Sequence, residues 1–430
     1  MVWLLTWWNA KRLHGVDRKV NKSSSGVASN GLLLTLLCLM GAGPLLNYGL
    51  STTSTLIIAD LHITESQFGL LATIVFATAA LASAWLGKVA DRMSLRSQLW
   101  LNFGGSMVAL IIAALSHSYW MLIVAAIIAG PTQSISNPTT NKIITTYVPV
   151  EKRPGWIGVK QSGVQASQLF AGIFFPLAAL LGGWQTAMAL GAVVVAWMLW
   201  FGLRQLPAAA PASPIKNDDA ASLLAASASG RLPSFVWLFA AFSFLSGLGM
   251  QATNIYLPLF AVRELGFSLV LGGLAAGLSG LIGVVSRVWW GRRMAAGGTA
   301  GVLLLFIALG AVAGALSFWG ASALRQPGLL WLGVVLHGVT VLGANVVVMS
   351  GVMKYVASER VGAATGIVSM GMYAGFASGP FLMGLLLQAT SGFTVGWLAV
   401  GTMYLLCGVV ALLIIRSRRK RLGAAISAES

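Results

Sequence analysis

The chain has 430 residues, 57% of them apolar and only 9% charged, with a formal net charge of +17. A soluble domain carries roughly a quarter charged residues, so this composition leaves too little polar surface for a water-soluble fold and points to lipid as the solvent. Its two cysteines, Cys38 and Cys407, exclude a disulfide framework and offer no metal-ligand spacing.

Residues 1–30 hold Lys11, Arg12, Arg18, Lys19 and Lys22 behind an apolar stretch too short for a signal sequence. They read as a cytoplasmic tail with Trp3, Trp7 and Trp8 resting on the membrane interface. Twelve apolar runs follow, near 31–53, 67–89, 97–116, 118–147, 155–181, 184–204, 235–261, 268–290, 300–320, 328–355, 362–388 and 394–415. Each is long enough to cross a ~30 Å hydrocarbon layer, and in lipid each must satisfy its own backbone as a helix. Between the sixth and seventh, "PAAAPASPIKNDDAASLLAASASG" is small, polar and proline-containing, a flexible linker over 206–233. The expectation is therefore an all-α membrane protein with twelve transmembrane helices in two six-helix bundles, 31–205 and 234–415, and a cytoplasmic tail over 416–430.

Basic residues set the orientation. With both termini cytoplasmic in a cell inner membrane, every Lys and Arg except Arg263, Arg325 and Lys160 falls on the inner side. The positive charge is thus a topology signal and not a nucleic-acid footprint. The expected partners are the lipid bilayer and a small-molecule substrate, the expected state is a monomer, and no cofactor or metal is expected.

The two bundles also repeat. At an offset of 208, Gly130, Asn137, Tyr147, Glu151 and Gly158 map onto Gly338, Asn345, Tyr355, Glu359 and Gly366; at 204, Gly69, Trp85 and Gly87 map onto Gly273, Trp289 and Gly291. Duplication of a six-helix unit, giving two pseudo-symmetric halves, is common in transporters.

The loop "GKVADRMSLRSQ" after the second run resembles the signature loop of the major facilitator superfamily, with a degenerate second copy in "SRVWWGRRM" at 286–294 and further similarity in "GMYAGFASGP". "NPTTNKI" and "GVKQSGV" are similar to the branch containing cyanate and nitroimidazole transporters. Two departures stand out: Ser94 replaces a common Gly, and "GIFFPLAALLGG" lacks the Gly-Pro pair usual in drug exporters. The resemblance implies a gate at the signature loop. There Asp91, beside Arg92 and Arg96, accepts from a neighbouring helix N-terminus and pairs with Lys142 or Arg153. Ala295 stands at the equivalent place in the second half, so the latch is one-sided.

Within the spans, polar side chains concentrate on a few helices: Asn47 and Tyr48 on the first, Gln133 and Asn137 on the fourth, and Lys160, Gln161, Gln165 and Gln168 on the fifth. Gln251, Asn254 and Tyr256 follow on the seventh, His337 and Asn345 on the tenth, and Tyr373 on the eleventh. The resemblance puts these spans around a central cavity, which makes the set the candidate substrate-binding residues. Lys160 has Val368 as its repeat partner, so its charge belongs to one half only. It either faces the cavity as a cation or snorkels to the headgroups.

All ten acidic residues fall in tails, loops or at span ends. A cavity with positive candidates and no carboxylate suits an anion, and His337 is the residue whose ordinary titration range fits proton coupling. The expected function is secondary active transport of a small anionic or polar organic solute by alternating access. A proton-driven multidrug or metabolite exporter and a non-transporting membrane sensor are the alternatives. No phosphate-binding loop, nucleophile triad or metal cluster points to an enzyme.

Overall fold

The computed structural model describes residues 29–206, 232–357 and 360–429. The N-terminal tail to residue 28, linker residues 207–231 and the repeat residue Glu359 lie outside the described residues, and with them the expectations placed there.

Helices are the consequence of burying apolar runs where no water can serve the backbone. Ten described helices are long and apolar enough to cross a membrane, and the pair Asn30–Ala42 and Leu45–Thr52, bent by 57° at Gly43 and Pro44, forms an eleventh crossing. The longest of the ten, Gly155–Gln205, is two crossings. At its middle, Gly182 and Gly183 leave helical geometry, Gly183 with φ +82°, a conformation that favours glycine. The chain then folds back, so that a Cβ on Gly191 would lie 2.9 Å from the Phe175 ring. Twelve crossings result, close to the expected runs. The eighth, Leu269–Ala295, extends beyond residue 290, and the twelfth, Phe393–Glu429, stays helical through the segment expected to be a tail. Lys, Arg, Leu and Ala are good helix formers, and the basic stretch contains no proline to stop it.

Small residues hold the helices together, as expected where apolar burial gives no preference for helix over lipid. Within the second half, Gly371, Gly375 and Gly379 of the eleventh span lie one helical turn apart and press on the backbone of the seventh. Between halves, three pairs meet. The first span touches the seventh through Ser51 Oγ, which donates to Ile255 O (2.8 Å) and Asn254 O (3.1 Å). The second meets the eleventh through Phe76 and Phe376, with ring centroids 5.4 Å apart. The fifth meets the eighth along a glycine stripe, where a Cβ on Gly280 would lie 2.8 Å from Gln165 O.

The face carrying the Asp91 loop also carries residues 206 and 232 and is called here the terminal face. At the opposite face the halves are sealed. Tyr256 Oη donates to Glu65 O (2.6 Å), Ser66 Oγ donates to Gln388 Oε1 (2.6 Å), and Arg263 pairs with Glu65. Toward the terminal face the interior is open. Asn137 is exposed although it lies about 15 Å along the helix from its end at Tyr147.

Candidate functional site

Breaks in the helices deliver polar groups to the middle of the protein. The tenth span is interrupted between Val339 and Ala344 by a short 3-10 turn. Because the Gly343 N–H turns to Thr340 O, the Val339 carbonyl loses its helical donor, and Trp290 Nε1 of the eighth span supplies one at 2.7 Å. One turn away on the same helix, Arg287 Nε donates to Leu342 O at 3.0 Å. Its Nη1 reaches across the boundary between halves to Gln161 O (2.9 Å), at the end of helix Arg153–Gln161. A guanidinium has five N–H donors, and these two bonds leave three.

Arg287 lines a cavity of about 140 Å³ that opens toward the terminal face. Ten of the expected residues line it: Asn47, Tyr48, Gln133, Asn137, Gln161, Gln165, Gln251, Asn254, Asn345 and Tyr373. Arg287, Phe76, Phe242, Phe376 and Met250 complete much of the wall, and no carboxylate among the described residues lines it. Several lining amides are buried without a protein partner, including both side-chain atoms of Asn47, Gln133 Oε1, Gln165 Oε1 and Asn345 Oδ1. Buried polar atoms are normally bonded, so these groups are open to a partner from outside the protein, water or solute.

Four expected residues lie elsewhere. Lys160 neither snorkels nor lines the cavity: it is 1% exposed and held inside the first half. Its Nζ donates to Thr140 Oγ1 (2.9 Å), Asn141 Oδ1 (2.5 Å) and, at 3.5 Å, Asn137 Oδ1. An ammonium has three donors, and the fourth span meets all of them. His337 is 2% exposed and sits behind Asn254. Asn254 Nδ2 donates to Gln251 Oε1 (3.0 Å), which leaves Oδ1 to accept from His337 Nε2 (3.1 Å) and Gln168 Nε2 (3.4 Å). Gln168 is thus part of a link between halves beside the cavity. Tyr256 belongs to the seal at the opposite face.

The expected pairing at Asp91 is also absent in this conformation. Lys142 Nζ donates to the main-chain oxygens of Ala90 (3.1 Å), Asp91 (3.1 Å) and Met93 (2.9 Å), where the second helix ends. Carbonyls at a helix C-terminus are unpaired and carry partial negative charge, which draws the ammonium to the backbone in place of the carboxylate. Arg153 similarly caps the fourth helix through Val148 O (3.0 Å) and Thr145 O (2.8 Å). Asp91, Arg92 and Arg96 are exposed.

Sequence reading missed Arg287 and assigned it to the inner side, because "SRVWWGRRM" was matched to a loop and the eighth run drawn to end soon after it. A signal was present. Gly273, Gly280 and Arg287 recur every seventh residue and share one helix face. The two glycines pack on the fifth span, at Gly172 and Gln165, so the face containing Arg287 must point there as well.

The family model of the Major Facilitator Superfamily matches residues 31–346. The chain belongs to this superfamily. Among solved superfamily-fold structures, a bacterial homologue of the human lysosomal transporter Spinster, inward-facing and unoccupied, superposes with a TM-score of 0.72 at 15% identity, covering 90% of this chain and 97% of that one. The nucleoside transporter NupG (D323A mutant) gives a TM-score of 0.72 at 15% identity over 89% of this chain and 99% of its own. A D-xylose-proton symporter gives 0.71 at 16% over 89% and 95%. In sequence, the chain is 24% identical over 341 residues to the membrane sensor protein UhpC of Escherichia coli strain K12, covering 74% of this chain and 77% of UhpC. The Salmonella typhimurium UhpC is 23% identical over 341 residues, 74% of this chain and 76% of its own. None of these matches supports the cyanate and nitroimidazole resemblance.

Proposed function

We propose that this superfamily member is a secondary transporter that moves a small anionic or strongly polar organic solute by alternating access. The observation that carries the reading is Arg287, a guanidinium with unused donors in a cavity lined by unpaired amides and by no carboxylate. In a low-dielectric site a lone cation selects strongly for negative charge, and a cationic drug would find no counter-charge there. That disfavours the exporter alternative.

The terminal face is the cytoplasmic side in this reading, because the basic residues cluster there. The present conformation then faces inward, with the seal at Ser51, Glu65, Tyr256 and Arg263 closing the outside. Rocking the halves about the first, second and fifth spans and their partners opens that seal and closes the inner side. Asp91 lies at the end of the second span, which packs antiparallel to the eleventh, and closure brings it toward the helix N-terminus at Val361. Asp91 latches the conformation that faces outward.

The likeness to UhpC favours a second reading, in which solute binding changes conformation without net transport. Purified protein in proteoliposomes separates the two. Uptake of a labelled small carboxylate or polar solute, absent in Arg287→Gln, supports transport. Binding of the same solute with no flux supports the sensor, and flux of cations alone overturns the proposed site.

A further inference from the structure

The cavity has two unlike walls. Arg287 and the amides of the first, fourth, fifth, seventh and tenth spans form one; the other is aromatic, built by Phe76 of the second span, Phe242 of the seventh, and Tyr373 and Phe376 of the eleventh. Phe376 is the centre of that wall, 5.4 Å from the Phe76 ring and edge-on to Tyr373 at 5.9 Å. Met250 and Met372 add deformable apolar contact to the lining. A purely hydrophilic anion would leave this wall facing its hydration water. A neutral aromatic would leave the guanidinium and amides unmatched.

Resting on the anion reading above, we infer that the site takes amphipathic aromatic monoanions: an aryl carboxylate whose charge meets Arg287 and whose ring lies against the Phe76 and Phe376 wall. The charge count selects a monoanion. Among the described residues Arg287 is the only Lys, Arg or His lining the cavity, and Lys160, one hydrogen bond behind Asn137, has all three donors committed. A second negative charge on the ligand would be desolvated without a partner, which is costly. The ring contributes through burial and through edge or offset contacts with the phenylalanines. The unpaired Gln133, Gln165 and Asn345 amides, which can donate or accept by rotation, match polar substituents on the ring.

The test is calorimetric titration of the purified full chain with five probes: benzoate, acetate, phthalate, benzyl alcohol and benzylammonium. Benzoate is expected to bind at least about tenfold more tightly than each of the others. Arg287→Gln should weaken benzoate by about ten- to 100-fold. Phe376→Ala should weaken benzoate several-fold while leaving acetate unchanged, with monodisperse elution showing that both variants fold. Equal binding of benzoate, acetate and phthalate, each lost in Arg287→Gln, overturns the aromatic inference and leaves the anion reading intact. Preference for benzylammonium, or benzoate binding indifferent to Arg287, overturns both. No benzoate response at millimolar concentration overturns the aromatic inference.

Discussion

Among the described residues, Lys160 and Arg287 both lie within membrane-spanning helices, and they are held in opposite ways. Lys160 has every donor satisfied by neutral side chains of the fourth span, within one bundle. Arg287 uses two donors, one on its own half at Leu342 and one across the boundary at Gln161, and lines the cavity. The first arrangement stitches a rigid bundle together. The second puts a charge at the boundary between the halves, where, in the proposed transport cycle, a bound anion would compete for the same group that ties them. In the proposed function, position relative to the boundary between halves, more than charge, separates the structural cation from the working one.

The largest effect expected from breaking this contrast is at Arg287. Removing it to Gln should lower anion affinity by about ten- to 100-fold, the worth of a charge-assisted hydrogen bond pair, together with some thermal stability, because Leu342 O and Gln161 O lose their donors. Arg287→Lys should keep part of the affinity, because the charge remains while three donors on a single nitrogen cannot reproduce the spread of the planar fork between Leu342 O, Gln161 O and a carboxylate.

Lys160→Met should do the reverse. It strips a charged donor from Thr140 and Asn141 and should cost about 1–3 kcal/mol of stability, read as a lowered unfolding midpoint in detergent, while affinity changes by less than about threefold. A large affinity loss at unchanged stability would return Lys160 to the cavity.

The next perturbation concerns the gates. Asp91→Asn should slow transport at equal expression and shift the population toward the inward-facing form, measured as a distance distribution between labels on the second and eleventh spans. Normal flux in that variant would remove the latch. Arg263→Gln acts at the opposite face, where the pair with Glu65 is partly exposed, 49% and 18%. Such pairs contribute about 0.2–1 kcal/mol, so the same labels should show a shift of about fivefold at most, smaller in high salt.

His337 carries the smallest expected change. An amide can repeat the donation to Asn254 Oδ1, so His337→Gln should leave affinity within about twofold and keep the pH profile of uptake between about 5 and 8, the ordinary histidine range. A profile that flattens in this variant would assign proton coupling to His337.

Most of the fold was legible because lipid imposes a simple rule, that apolar runs of sufficient length become helices, and duplication then pairs them. The cavity-lining amides were legible for the same reason, since Gln133, Asn137 and Gln165 have no affordable place facing lipid. Depth and direction were harder. Gln168, Tyr256 and His337 are as polar and as central as their neighbours, and only the packing of helices shows that they join walls to one another instead of facing the cavity. Arg287 was hidden for a different reason: its span ends in Arg292 and Arg293, so a charge two turns inside looked like the start of the loop.

The most direct test of the account is titration of benzoate, side by side, into wild type, Arg287→Gln and Lys160→Gln. The account expects Arg287→Gln to lose about ten- to 100-fold in affinity, with Lys160→Gln staying within about threefold of wild type. Full affinity in Arg287→Gln together with loss in Lys160→Gln would contradict it.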